Sequence, residues 1–314
     1  MTRFATDPQA LARARRRNRA ETAATLAALG GLAAAIGYLA AGGQGLLFGL
    51  GFAGLALAVS AVPGEALFRQ ALGASPLSPF QAPGLHAMVT ELSARAGLAA
   101  PPRLWLLPQQ PLQAIAAGTA ASPGIGVTRA LIEALPPREL AAVLAHEISH
   151  VRDGDLFVLR LAAIAATATR AMAQAGLIVA IFAGLGAIGA HPLLPLLLIV
   201  SPLVADLLTL SLTRAREFLA DAGAAELTGD PEALAAALAR LERIQGDDFE
   251  RLAARGPSWL RWFRTHPTVA QRIAALGEIA VPARHGPGPW EPAWHAAPAP
   301  PARRQGFRNP WRRQ

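Results

Sequence analysis

Four runs of apolar residues, each close to the length that a helix needs to cross a bilayer, limit what this chain can fold into. The first extends from Thr22 to Ala41 and the second from Gly45 to Val62, with Gly42-Gly43-Gln44 between them and Pro63 after them. The third covers Ala171 to Ala190 without an acid or a base. After His191-Pro192 the fourth runs from Leu193 to Leu212, with Asp206 as its one ionisable residue. A helix rising about 1.5 Å per residue needs about 20 such residues to cross the hydrocarbon layer. Inside that layer every backbone group must be bonded internally, so the runs predict helices, and the short breaks predict two hairpins of two spans each. Composition agrees: 53% of residues are hydrophobic and 16% charged, against about 45–50% and about 25% in soluble domains. A basic flank before an apolar run is also the layout of a cleaved signal peptide, but this run is long for one and a second follows at once. Asp206 is expected to have a structural role near the cytoplasmic end of its span, where it reaches water or an Arg.

The net charge of +8 comes entirely from Arg, because the chain has no Lys. Arg3, Arg13, Arg15, Arg16, Arg17 and Arg19 precede the first run, and a second cluster lies between Arg303 and Arg313. Neither cluster is interleaved with base-stacking aromatics, so nucleic acid is not the expected partner. The lipid bilayer is. The breaks at Gly42–Gln44 and His191-Pro192 carry no Arg, and the positive-inside rule therefore places both termini in the cytoplasm. With no Cys in the chain, a metal site must be built from His and carboxylates.

Between the two hairpins lies His146-Glu147-Ile148-Ser149-His150, in a stretch free of Gly and Pro from Arg138 to Asp153. Its composition is helical, and Pro136-Pro137 suits a helix start. Residues four apart share a helical face, so His146 and His150 offer imidazole nitrogens to one ion while Glu147 lies close enough to act on a water beside it. The alternative is a chance match on a core helix. Catalytic zinc sites use three protein ligands, and Glu217 is the best candidate for the third. It shares a face with Asp221, which would accept a hydrogen bond from a ligand imidazole and fix its tautomer. Read from spacing alone, Glu217 and Asp221 also fit a solvated surface helix, with Arg214 and Arg216 nearby. Short segments at Arg103–Leu107, Gln113–Ala117 and Gly124–Thr128 predict a small sheet ahead of the His146 helix.

His146-Glu147-Ile148-Ser149-His150 with Gly154-Asp155, then Arg214-Ala215-Arg216-Glu217-Phe218-Leu219-Ala220-Asp221-Ala222-Gly223, then His266-Pro267 with Arg272-Ile273, resembles the HtpX family of membrane zinc metalloproteases. These are gluzincins related to the CaaX prenyl proteases, and the resemblance covers roughly residues 20 to 280. It implies a bacterial inner-membrane endopeptidase with one Zn2+ per chain, a cytoplasmic active site, and a role in turnover of damaged membrane proteins under stress. It assigns His146, His150 and Glu217 as metal ligands, Glu147 as catalytic base and Asp221 as partner of a ligand histidine. His266 matches a histidine thought to stabilise the tetrahedral oxyanion; read without the family, it fits a helix cap equally well. Gln113 stands where the family usually carries a substrate-facing Asn.

The expected fold is thus a mainly α membrane protein with four transmembrane helices in two hairpins and a cytoplasmic α+β zincin-type protease domain carrying a small sheet. Its divisions are a basic cytoplasmic segment (1–21), a first hairpin (22–62), a first stretch of the protease domain (63–170), a second hairpin (171–212), the remainder of the protease domain (213–280) and a disordered Pro-, Arg- and Trp-rich tail (281–314) expected to touch anionic lipid. The Gly124–Thr128 strand is expected to lie at a sheet edge, where Gly126 and Val127 would pair with an extended substrate. Expected substrates are membrane proteins or unfolded polypeptides; oligomeric state is left open. Two other readings stand beside this one: a protease dedicated to one membrane or lipidated substrate, and a catalytically silent membrane scaffold.

Overall fold

The computed structural model describes residues 8–59, 64–108, 111–119, 121–186, 189, 191–246 and 267–278; His266 and the tail at 281–314 lie outside them. Helix α1 (Pro8–Val59) contains both of the first two apolar runs. It is broken at Ala41 (φ −150°, ψ 28°) and Gly42 (φ 59°, ψ −138°). Past the break the chain folds back: Gly45 lies against the Gly37 backbone and Gly49 against that of Ala33. A side chain at 37, 45 or 49 would collide with the facing backbone, so glycine sets how closely the halves approach.

A short turn follows, α2 (Gly64–Ala66) continuing as a π-helical turn over Leu67–Ala71, then β1 (Ser75–Pro76) and α3 (Pro83–Arg95). Strands β2 (Arg103–Leu107), β3 (Ala114–Thr119) and β4 (Ser122–Thr128) complete a sheet of order β1-β2-β4-β3. β2 and β4 are parallel, whereas β1–β2 and β3–β4 are antiparallel. The strand at Gly124–Thr128 is therefore interior, contrary to expectation. Gly126 faces Trp105 on one side and Ile115 on the other, and Val127 is fully buried. Neither has a free backbone edge to offer a substrate. Its glycines have a packing reason: a Cβ on Gly124 or Gly126 would come within 2.6 Å of the Phe68 ring, which is itself fully buried and stacked on Trp105. The sheet's edges are β1 and β3, and β3 is the one that lines the cleft described below.

After α4 (Arg129–Ala134) comes α5 (Pro137–Asp153), opened by Pro137 and closed by Gly154 in the left-handed conformation (φ 77°). Leu140, Leu144 and Ile148 are fully buried, each contributing about 1.5–3 kcal/mol of burial. They join residues of α3, β4, α7 and α8 in one core. Helix α6 (Asp155–Gly184) starts directly from Gly154, and α7 (Leu193–Thr228) runs unbroken for 36 residues. Sequence patterning separated a span at Leu193–Leu212 from a later helix over Thr213–Thr228; the two are one helix, because no Gly or Pro interrupts it between Pro202 and Gly223. Helices α8 (Pro231–Gln245) and α9 (Val269–Gly277) pack beside it.

Among the described residues, three helices are long and apolar enough to cross a membrane: α1 over Arg13–Ala56, α6, and α7. Their exposed faces carry large apolar side chains such as Phe48, Leu55, Ile181, Phe182, Leu203 and Leu207. The fold is mainly helical, with membrane-crossing helices and a small four-stranded mixed sheet.

Candidate metal centre

Helix α5 supplies His146 and His150 one turn apart, and α7 crosses it to bring in Glu217. The crossing is close because Gly223 lies over Ser149: a Cβ there would meet the Ser149 side chain and come within 2.7 Å of Arg152 Nη2. His146, His150 and Glu217 are all buried, with one donor atom from each lying within 4.8 Å of the others. His146 Nε2 is 3.7 Å from Glu217 Oε2, His150 Nε2 is 3.9 Å from Glu217 Oε1, and the two Nε2 atoms are 3.2 Å apart.

Both imidazoles are held from behind. His146 Nδ1 lies 3.0 Å from Asp221 Oδ1, and His150 Nδ1 lies 2.8 Å from Asp155 Oδ2. A carboxylate only accepts, so an Nδ1–H facing each one leaves the Nε2 atoms as the nitrogens available to an ion. Two imidazole nitrogens and a carboxylate thus converge on one point. That arrangement repels itself unless a cation sits there, and two imidazoles with one carboxylate is a donor set that zinc accepts.

The carboxylates are held in turn. Arg272 of α9 donates from Nη2 to Asp221 Oδ1 at 2.6 Å and from Nε to Oδ2 at 2.8 Å, and its Nη1 lies 3.2 Å from Glu217 Oε2. Burial would raise the Asp221 carboxyl, but Arg272 and then His146 outweigh it and hold Asp221 below the usual carboxylate range. Asp155 forms an ion pair with buried Arg216, whose Nη2 donates to Thr22 Oγ1 at 2.7 Å. Burial lowers the Arg216 guanidinium to about 10, still protonated at neutral pH.

Glu147 stands between the two ligand histidines in sequence and lines the same cleft of about 420 Å³. Burial pushes its carboxyl up, Glu217 adds to this, and the two histidines and the Ala116 N–H pull it back down. Leu112, Gln113, Ala114 and Ala116 form the opposite wall. Thr128 N–H donates to the Gln113 carbonyl. Antiparallel pairing alternates, so Gln113 and Ile115 turn their backbone groups to β4, while Ala114 and Ala116 turn theirs to the open edge.

The structure therefore gathers His146, Glu147, His150, Glu217 and Asp221 at one point, with exposed Gln113 at the cleft. Gly126 and Val127 are in the sheet interior. Sequence reasoning assigned no role to Asp155, Arg216 or Arg272: Arg216 adjoins Glu217, Asp155 lies five residues after His150 beyond a helix break that hides the contact, and Arg272 is 51 residues from Asp221.

The profile of Peptidase family M48 matches residues 79–280. A protease HtpX homolog of Nostoc punctiforme is 37% identical over 277 residues, 82% of this chain and 95% of that one. Another from Acidiphilium cryptum is 34% identical over 84% of this chain and 97% of that protein. Among solved structures, the crystal structure of S. mikatae Ste24p is similar at a TM-score of 0.44 and 20% identity, covering 74% of this chain and 57% of that one. By its profile and its relatives, this chain belongs to the M48 family of zinc metallopeptidases, among the HtpX homologs.

Proposed function

We propose that this chain is an integral membrane endopeptidase that holds one zinc ion and hydrolyses peptide bonds of unfolded or damaged membrane polypeptides at the cytoplasmic face of a bacterial inner membrane. The observation that carries this reading is Glu147 beside three converging donor side chains, in a cleft walled by a strand edge. The fold-back of α1 supports four spans in two hairpins. The Arg-free breaks support cytoplasmic termini and a cytoplasmic peptidase domain built from 63–170 and 213–280.

Zinc held by His146, His150 and Glu217 would supply Lewis acidity towards a carbonyl oxygen and a water acidified to near neutral pH. Glu147 takes a proton from the attacking water and gives it to the departing amine nitrogen, and a carboxyl raised by burial suits a group that must hold that proton between the two steps. Asp221 and Asp155 keep the Nδ1 protons of His146 and His150, leaving both Nε2 atoms as ligands. An extended substrate adds to the β3 edge through the N–H and C=O of Ala114 and the C=O of Ala116, whose N–H is given to Glu147. Gln113 faces the bound chain, and His266 stabilises the oxyanion.

The test is digestion of casein by the detergent-purified chain, wild type beside Glu147→Gln, with zinc measured on both. We expect both to hold zinc and only wild type to cleave. If both hold zinc and neither cleaves, the dedicated-processing or scaffold reading replaces this one.

A further inference from the structure

Two of the four apolar runs have a described end close to the metal centre, and the second run leads into an element packed beside it. On α7, Glu217 lies five residues beyond Leu212, where the last run stops, a rise of about 7.5 Å along an unbroken helix. Thr22 opens the first run, and its hydroxyl accepts a hydrogen bond from Arg216, the neighbour of Glu217 and ion-pair partner of Asp155. Gly64 follows Val62, the end of the second run, by two residues and packs on the β3–β4 turn: a Cβ on it would lie 2.9 Å from the Ala117 carbonyl oxygen and 3.1 Å from Gly118 Cα. Ala116, whose N–H faces the Glu147 carboxylate, is only two residues from Gly118. Helix α7 and its contact with Thr22 thus place the site within about 10 Å of the ends of the first and fourth runs, which we take as the hydrocarbon boundary there. An extended chain crosses that distance in about three residues.

We infer that the preferred substrate is the juxtamembrane segment of a membrane-anchored polypeptide, cut within about ten residues of the point where it leaves the hydrocarbon. This rests on the peptidase reading above and adds to it a fixed position for the cut. The β3 edge passes Glu147 at Ala116, two residues from Gly118, on which Gly64 packs. A chain leaving the bilayer near the ends of the first and fourth runs meets that edge directly, whereas a loop held far from the bilayer must first be drawn down to it.

The experiment uses the full chain, zinc-loaded, in proteoliposomes. One substrate is a single spanning helix followed by an unstructured linker of about 40 residues made of identical repeats, so that distance from the bilayer is the only variable. The other is the same linker without the span. Cut sites are mapped by mass spectrometry. We expect cuts in the anchored linker to crowd into about the first ten residues, at least ten-fold more often per bond than in the distal half, and cuts in the free linker to spread evenly. An even spread along the anchored linker overturns the inference while leaving the peptidase reading intact. No cleavage of either linker, with zinc bound, overturns the peptidase reading and the inference with it.

Discussion

His150 donates from Nδ1 to Asp155 Oδ2 at 2.8 Å, and the other oxygen of Asp155 pairs with the buried guanidinium of Arg216. One carboxylate therefore orients a metal ligand and neutralises a buried cation that also reaches Thr22 on the first membrane helix. Removing it acts on both. For Asp155→Ala we expect zinc affinity to fall about 10–100-fold, measured by chelator competition. The stranded Arg216 should also cost about 3–5 kcal/mol of stability, read in a denaturation curve of the zinc-free chain. Unchanged affinity would show that Asp155 serves the fold and not the ligand.

The two strands beside the site predict opposite outcomes for the same substitution. Ala114 turns its N–H to the edge that lines the cleft, so Ala114→Pro should leave the chain folded and zinc-bound while lowering casein cleavage at least ten-fold. Val127 is fully buried in an interior strand, so Val127→Pro should unfold the peptidase domain. Circular dichroism and zinc content beside activity separate the two; full activity in Ala114→Pro would refute substrate pairing on β3.

Gly223 sets the distance between α5 and α7. A Cβ there meets the Ser149 side chain and Arg152, so Gly223→Ala should cost about 1–3 kcal/mol by overpacking, and should weaken zinc binding by moving Glu217 away from the histidines. Gly31, around which a Cβ meets nothing within 4 Å, is the control: Gly31→Ala should be neutral or slightly stabilising, since alanine loses less backbone freedom in a helix. Thermal unfolding of the two variants gives the comparison.

Asp230 links the start of α5 to α8. It caps α8 by accepting from Ala233 N–H at 3.0 Å and pairs with Arg138 through both oxygens. Burial alone would raise its carboxyl, but the Arg138 hydrogen bond, then that from Ala233, hold it below the usual range. A depressed carboxyl stabilises fully above its unfolded value, near ~3.9, and the contribution is lost as pH falls through the folded value. Asp230→Ala should therefore cost about 1 kcal/mol near neutrality, and the gap from wild type should narrow as pH falls from about 4 towards the depressed folded value. A gap that stayed constant on acidification would show the contribution to be uncharged.

The membrane runs, the His146–His150 pair with Glu147, and the Glu217–Asp221 pair were legible in the sequence because each rests on a local period: run length for a span, and spacing of four on one helical face. The β2 strand was legible at its full length, Arg103–Leu107, and Pro136-Pro137 opened the α5 helix as its composition suggested. What the sequence could not fix is which strand lies outermost. A short apolar strand looks the same at an edge as in the interior, and only the pairing of β4 with both β2 and β3 made β3 an edge. The same holds for Asp155, Arg216 and Arg272. Their partners are contributed by other helices, and a charge 51 residues from its partner, as Arg272 is from Asp221, carries no local signal. Spacing along one helix determined the chemistry this protein can hold, whereas the crossing of α5, α7 and α9 decided how it is held, because burial and pairing of charges arise only when separate elements meet.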